Sequence, residues 1–229
     1  MRFFPTDIYY FILVIPAFLF SLFAQLRIKS TFNRYSKVPL QRQMTGEMAA
    51  RMILDINGIT NIRVTPIQGS LTDHYSNKES MIGLSKPTYA VSSIAAVGVA
   101  AHEAGHAVQY HRQYFPIQVR QAIVPVTQFG SMASYPVIAI GFFMNSRFLI
   151  LAGIILFSLV ALFQLITLPV EFNASKRALE NLRASNMLNP GELDGVKKVL
   201  NAAAMTYVAA LAVSLMSLIR VILLSRRRN

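Results

Sequence analysis

Four long runs without a charged side chain constrain this chain most: Ile8 to Leu26, Gln121 to Ser146, Phe148 to Val170 and Val199 to Ile219. Each matches the roughly 20 residues that a helix needs to cross a bilayer. Inside a bilayer the backbone has no water to bond, so an isolated apolar run of this kind crosses as a helix. The expected fold is therefore mainly α: a polytopic helical membrane protein with about four transmembrane helices. Composition agrees, with 54% hydrophobic and only 14% charged residues. No small-residue A-x-A cleavage site follows the first run, so residues 1–30 read as a retained transmembrane anchor.

Charge gives the expected orientation. Arg27, Lys29, Arg34, Lys37 and Arg42 follow the first run, against Arg2 before it, which puts the N-terminus outside and the next segment in the cytoplasm. The net charge of +12 is then matched to anionic lipid, with the bilayer as partner and no nucleic acid. The expected location is a cell membrane of bacterial inner-membrane type, crossed several times.

A fifth stretch, Pro87 to Tyr110, carries Glu103 as its one charge and is also long enough to span. It is, however, rich in Ala, Ser and Gly and poor in Leu and Phe, as suits a helix packed tightly inside a domain. Treated as non-spanning, it leaves sixteen Lys/Arg inside and five outside; treated as spanning, thirteen and eight. The positive-inside rule favours the first. Residues 31–117 are accordingly expected to form a small cytoplasmic α+β domain. Within it, apolar positions from Thr45 to Asn57 recur at helical spacing, with Thr45 as N-cap and Gly58 as the closing glycine. Ile62 to Ile67, Leu71 to Tyr75 and Ser80 to Leu84 read as short strands of a sheet whose edge could take an extended substrate.

The chemistry sits at Ala101-His102-Glu103-Ala104-Gly105-His106. Residues four apart share a helix face, so His102 and His106 can offer imidazole nitrogens to one Zn²⁺, with Glu103 placed as the general base of a metalloprotease. The chain has no cysteine, which leaves His, Asp and Glu as ligands. A catalytic zinc takes three protein ligands and keeps one position open. The continuation H-x-x-G-x-x-H fails at Gln109 and Arg112, so the third ligand comes from elsewhere. Residues 118–170 form a transmembrane hairpin around Asn145 to Arg147 that returns the chain to the side it left. There Pro169 is expected to start a helix with Glu171 in its first turn. Glu171 is either an acid favoured by the helix dipole or the missing ligand, with Ser175 one turn on. Residues 171–198 complete this segment, Asn189, Pro190 and Glu192 starting a further helix. Residues 199–229 are the last span and a basic tail, Arg226 to Arg228, which four spans leave outside against the charge rule. Asp73-His74 reads either as a turn-capping acid beside a solvated histidine or as a substrate-positioning pair.

These residues resemble the YugP-type family of neutral membrane zinc metallopeptidases across nearly the whole chain. The resemblance is carried by Leu71-Thr72-Asp73-His74-Tyr75, by Ala100 to Tyr110, by Pro169-Val170-Glu171-Phe172-Asn173-Ala174-Ser175 and by Lys197-Lys198-Val199-Leu200. It implies a gluzincin-like membrane peptidase, similar in arrangement to the HtpX and CAAX prenyl proteases, in which Glu171 matches the ligating glutamate and Ser175 stands where those enzymes have an aspartate. The expected function is a zinc metalloendopeptidase acting on protein or peptide substrates, with His102, His106 and Glu171 on the metal and Glu103 as base and then acid. Tyr110, His111, Tyr114 and Arg177 are candidates by type for the oxyanion donor. Two rivals are a site-2-type intramembrane protease using Asp194 of Leu193-Asp194-Gly195, and a non-enzymatic scaffold with structural zinc.

Overall fold

The computed structural model describes residues 7–226, so Arg2, Arg227 and Arg228 of the charge balance lie outside it. A π-helical turn, Tyr10–Val14, runs into α1 (Ile15–Tyr35) and is followed by α2 (Gly46–Ile56), β1 (Arg63–Ile67), β2 (His74–Ser76), β3 (Met81–Ser85), α3 (Lys86–Tyr89), α4 (Ile94–His111), α5 (Phe115–Phe143), α6 (Arg147–Ala184) and α7 (Pro190–Arg226). Among the described residues four helical segments are long and apolar enough to cross a membrane: Tyr10–Tyr35, Phe115–Phe143, Arg147–Ala184 and Pro190–Arg226. The protein is a mainly α, polytopic membrane protein with a small α+β part. It divides into two units, one of Met1–Gln25, Val119–Leu168 and Thr206–Asn229, the other of Leu26–Gln118 and Pro169–Met205.

In the first unit α5 and α6 form the hairpin, with Asn145 at φ 55° in the connection. Glycine lets these helices meet closely: a Cβ on Gly141 would lie 2.8 Å from the backbone nitrogen of Ile150. Pro125 and Pro136 sit inside α5. Arg220, which ends the fourth apolar run, donates from Nε to Asp7 Oδ2 at 2.7 Å and lies over the Tyr10 ring. The start of the first helical segment and the end of α7 are thereby tied together, as an even number of crossings requires.

The second unit has its core where α2 meets α4. Ala49, Ala50, Ile53 and Leu54 pack with Val97, Ala100, Ala101 and Ala104, together with Ile82 and Leu84 of β3, Leu182 of α6 and Val196 of α7. Small residues on both helices bring the backbones together, and the larger aliphatics fill the margins. Helix α2 is capped as its sequence requires: Thr45 Oγ1 accepts the Met48 N–H at 3.3 Å, and Gly58 closes the end at φ 69°. The sheet has order β1-β3-β2, with β1 parallel and β2 antiparallel to β3.

Several expectations change in detail. The second strand begins at His74, not Leu71, because Leu71 takes φ 60° and Thr72 Oγ1 donates back to the Gln68 carbonyl. Pro87 to Tyr110 is not one helix. It breaks after α3, and α4 starts afresh where Ser93 Oγ accepts the Ala96 N–H. Pro169 does not start a helix, since it lies inside the unbroken α6. Proline inside an apolar helix is tolerated where neighbouring groups satisfy the backbone it frees. Glu171 is thus mid-helix, and the dipole reading loses its basis. Likewise α7 is continuous from Pro190 through the last apolar run. Its start is a reciprocal capping box, Glu192 N–H to Asn189 Oδ1 at 2.9 Å and Asn189 N–H to Glu192 Oε2 at 2.8 Å.

Candidate metal centre

Helix α4 presents His102 and His106 one turn apart, and α6 presents Glu171 to both. Glu171 Oε2 lies 3.2 Å from His102 Nε2 and 3.5 Å from His106 Nε2. One donor atom from each of the three residues lies within 4.8 Å of the others, a spacing that one ion can span. The close approach has a backbone cause: a Cβ on Gly105 would stand 2.5 Å from the carbonyl oxygen of Ala174, so the glycine lets α4 and α6 touch at the ligands.

The other imidazole nitrogens are held from outside. His102 Nδ1 is 3.1 Å from Ser175 Oγ, and His106 Nδ1 is 3.0 Å from Gln109 Oε1. Gln109, completely buried, donates from Nε2 to the Val170 carbonyl at 2.7 Å and to Asn173 Oδ1 at 3.0 Å. Asn173 Oδ1 also accepts from Arg177 Nε at 2.7 Å, and the Arg177 guanidinium lies over the Tyr114 ring. With both Nδ1 atoms engaged, both Nε2 atoms are left to face Glu171. Two imidazoles and a carboxylate, with hydrogen bonds behind the imidazoles, are a donor set that fits zinc.

Electrostatics follows from this packing. Burial alone would lower the pKa of His106. The hydrogen bond to Glu171 and the charge of Glu103 outweigh it and raise the value. Glu103 is partly exposed and stands outside the three-donor cluster.

The remaining sequence candidates separate. Asp73 accepts from the backbone N–H of Ser85 at 2.8 Å and from its hydroxyl, fixing β2 to the end of β3, while His74 is exposed and bonds the Thr72 carbonyl. Asp73 thus ties two strand ends together and caps no turn of its own. Tyr75 leans on Tyr110 with ring centroids 5.3 Å apart, and burial pushes its pKa up to about 12, so it stays protonated. His111 is exposed at the end of α4. Arg177 is engaged with Asn173. Asp194 is exposed and paired with Lys198 at 2.6 Å, outside the cluster. Gln109 entered the sequence reading only as a mismatch to a motif. Its signal was its position, three residues after His106 on the same helical face. A groove runs along the end of α6 and the start of α7, lined by Phe172, Ser175, Leu179, Leu188 and Leu193 together with the charged Lys176, Glu180, Arg183, Asp194 and Lys197; none of the three ligand residues lines it.

A family model described as "Putative neutral zinc metallopeptidase" matches residues 10–226. A curated protein of Bacillus subtilis (strain 168), "Putative membrane protease YugP", is 46% identical over 212 residues, covering 93% of this chain and 94% of that protein. No solved structure matches the chain.

Proposed function

The chain belongs to the neutral zinc metallopeptidase family, and from that premise we propose that it is a membrane-embedded zinc endopeptidase working at the cytoplasmic face. The observation that carries this reading is the convergence of His102 Nε2, His106 Nε2 and Glu171 Oε2 from two helices. Zinc held there would polarise a scissile carbonyl and bring the pKa of water to about 7. The chain's own residues do the rest. Glu103 takes the proton of the attacking water and returns it to the leaving amine. Ser175 and Gln109 hold the imidazoles in place. The groove along α6 and α7 includes Ser175, the hydrogen-bond partner of His102, and its mixture of leucines and charged side chains suits a protein or peptide segment. A zinc scaffold gains no support, because structural sites usually close with a fourth protein ligand and typically use cysteine, which this chain lacks.

Purified Glu103→Gln is the test. It should keep zinc and lose about 10²–10⁴-fold in peptide hydrolysis; full activity would sink the peptidase reading. Orientation is accessible separately because the chain has no cysteine. Lys78→Cys should be labelled by an impermeant maleimide only from the cytoplasmic side, and Asn145→Cys only from outside. The reverse pattern would invert the topology.

A further inference from the structure

We infer that Gln109 is a positioning residue that sets the tautomer of His106, so that the ring turns a bare Nε2 toward the metal. This rests on the metal-site reading and not on peptidase activity. Arg177 has only donors, so the atom of Asn173 that lies 2.7 Å from its Nε is the amide oxygen. The Val170 carbonyl also only accepts. The end of Gln109 that meets both, at 2.7 and 3.0 Å, must therefore be its NH₂ group. Its oxygen is left facing His106 Nδ1 at 3.0 Å, and the only favourable contact there is Nδ1–H donating. A neutral imidazole carries one N–H. Glu171 Oε2 competes for it at 3.5 Å from Nε2, farther than Gln109 Oε1 at 3.0 Å from Nδ1, so the proton sits on Nδ1 and Nε2 keeps its lone pair. Rotating the Gln109 amide would set its oxygen against two acceptors in a site closed to water, since Gln109 is 0% exposed.

His102 has no fixed acceptor at Nδ1, and its Nε2 is the nitrogen nearer Glu171, at 3.2 Å. Its Nδ1 meets the Ser175 hydroxyl, which donates or accepts equally well. The two imidazoles are thus unequal: His106 is preset by a directional chain from Arg177 through Asn173 and Gln109, whereas His102 adapts.

The test uses full-length protein in detergent with ¹⁵N-labelled histidine, a spectrum that four histidines keep simple. In zinc-free wild type, in the alkaline range where the rings are neutral, His106 should show the Nδ1–H signature with a bare Nε2. Gln109→Met should lose that preference and bind zinc about 10- to 100-fold more weakly. Asn173→Asp, which still only accepts toward Gln109 and Arg177, should retain the wild-type tautomer. An Nε2–H signature in wild type would overturn the inference without any variant, as would an unchanged tautomer and zinc affinity in Gln109→Met. If wild type binds no zinc, the metal site fails while the zinc-free spectrum still decides the tautomer.

Discussion

Helices α4 and α5 follow each other in the chain, and each carries little charge, yet their side chains meet opposite surroundings. On α5 the large residues point outward, with Phe129 66%, Met132 79% and Phe143 93% exposed, as lipid-facing positions require. On α4, Val97, Ala100, Ala101 and Ala104 are all at 0%. Hydropathy alone does not separate the two. Side-chain size does, because alanine and glycine allow backbones to approach, while phenylalanine and methionine supply surface to hydrocarbon. The site depends on that difference: only a helix of small residues lets His102 and His106 reach a ligand on α6.

The contrast can be broken most severely with a charge. Ala101→Lys buries an unpaired ammonium and should cost about 3–5 kcal/mol, enough to abolish folded protein in detergent size-exclusion profiles. Phe129→Lys on α5 should cost about 2.5–3.5 kcal/mol at membrane insertion and little in detergent, where its ammonium reaches water. Equal behaviour in detergent would mean that the two helices do not differ as described. Cavities come next. Ile53→Ala on α2, facing α4, should lower stability by about 2–5 kcal/mol, whereas Phe143→Ala should stay within about 0.5 kcal/mol in detergent melting curves.

Gly105→Ala sharpens the comparison at the site itself. Its methyl group meets the Ala174 carbonyl and forces α4 from α6, with an expected stability loss of about 1–3 kcal/mol and a loss of zinc out of proportion to it. Unchanged zinc content would show that the close approach is not what assembles the ligands. Between pH 5 and 8 only α4 has imidazoles to titrate, since α5 contains no histidine. With the pKa of His106 raised in the zinc-free protein, zinc must displace its proton below that value. Affinity should fall about tenfold per pH unit on the acid side and level off above it. The zinc-free fold should gain its full stabilisation from this group below about pH 6.5 and lose it as pH rises through the raised value. Titration calorimetry and melting across pH would read both; a flat response would place His106 outside the ion-pair environment.

Much of this was legible from local pattern. The four apolar runs, the Thr45 start, the Asn189–Glu192 box and the one-turn spacing of the histidines are all short-range features. What escaped is long-range or a matter of competing rules. Pro169 reads as a helix start because proline breaks helices in water, but α6 carries it in mid-course. The strand order β1-β3-β2 departs from simple hairpins, because the neighbour of β1 is the third strand and not the second. For Gln109 the sequence offers only its place one turn after His106; the partners that orient its amide, Val170 and Asn173, lie more than sixty positions away.

Zinc content per chain in detergent-purified wild type, Glu171→Gln and Asp194→Asn tests the central claim most directly. The arrangement of α4 and α6 predicts that wild type and Asp194→Asn hold the metal while Glu171→Gln loses it. Metal retained by Glu171→Gln and lost by Asp194→Asn would contradict the account and move the third ligand to α7.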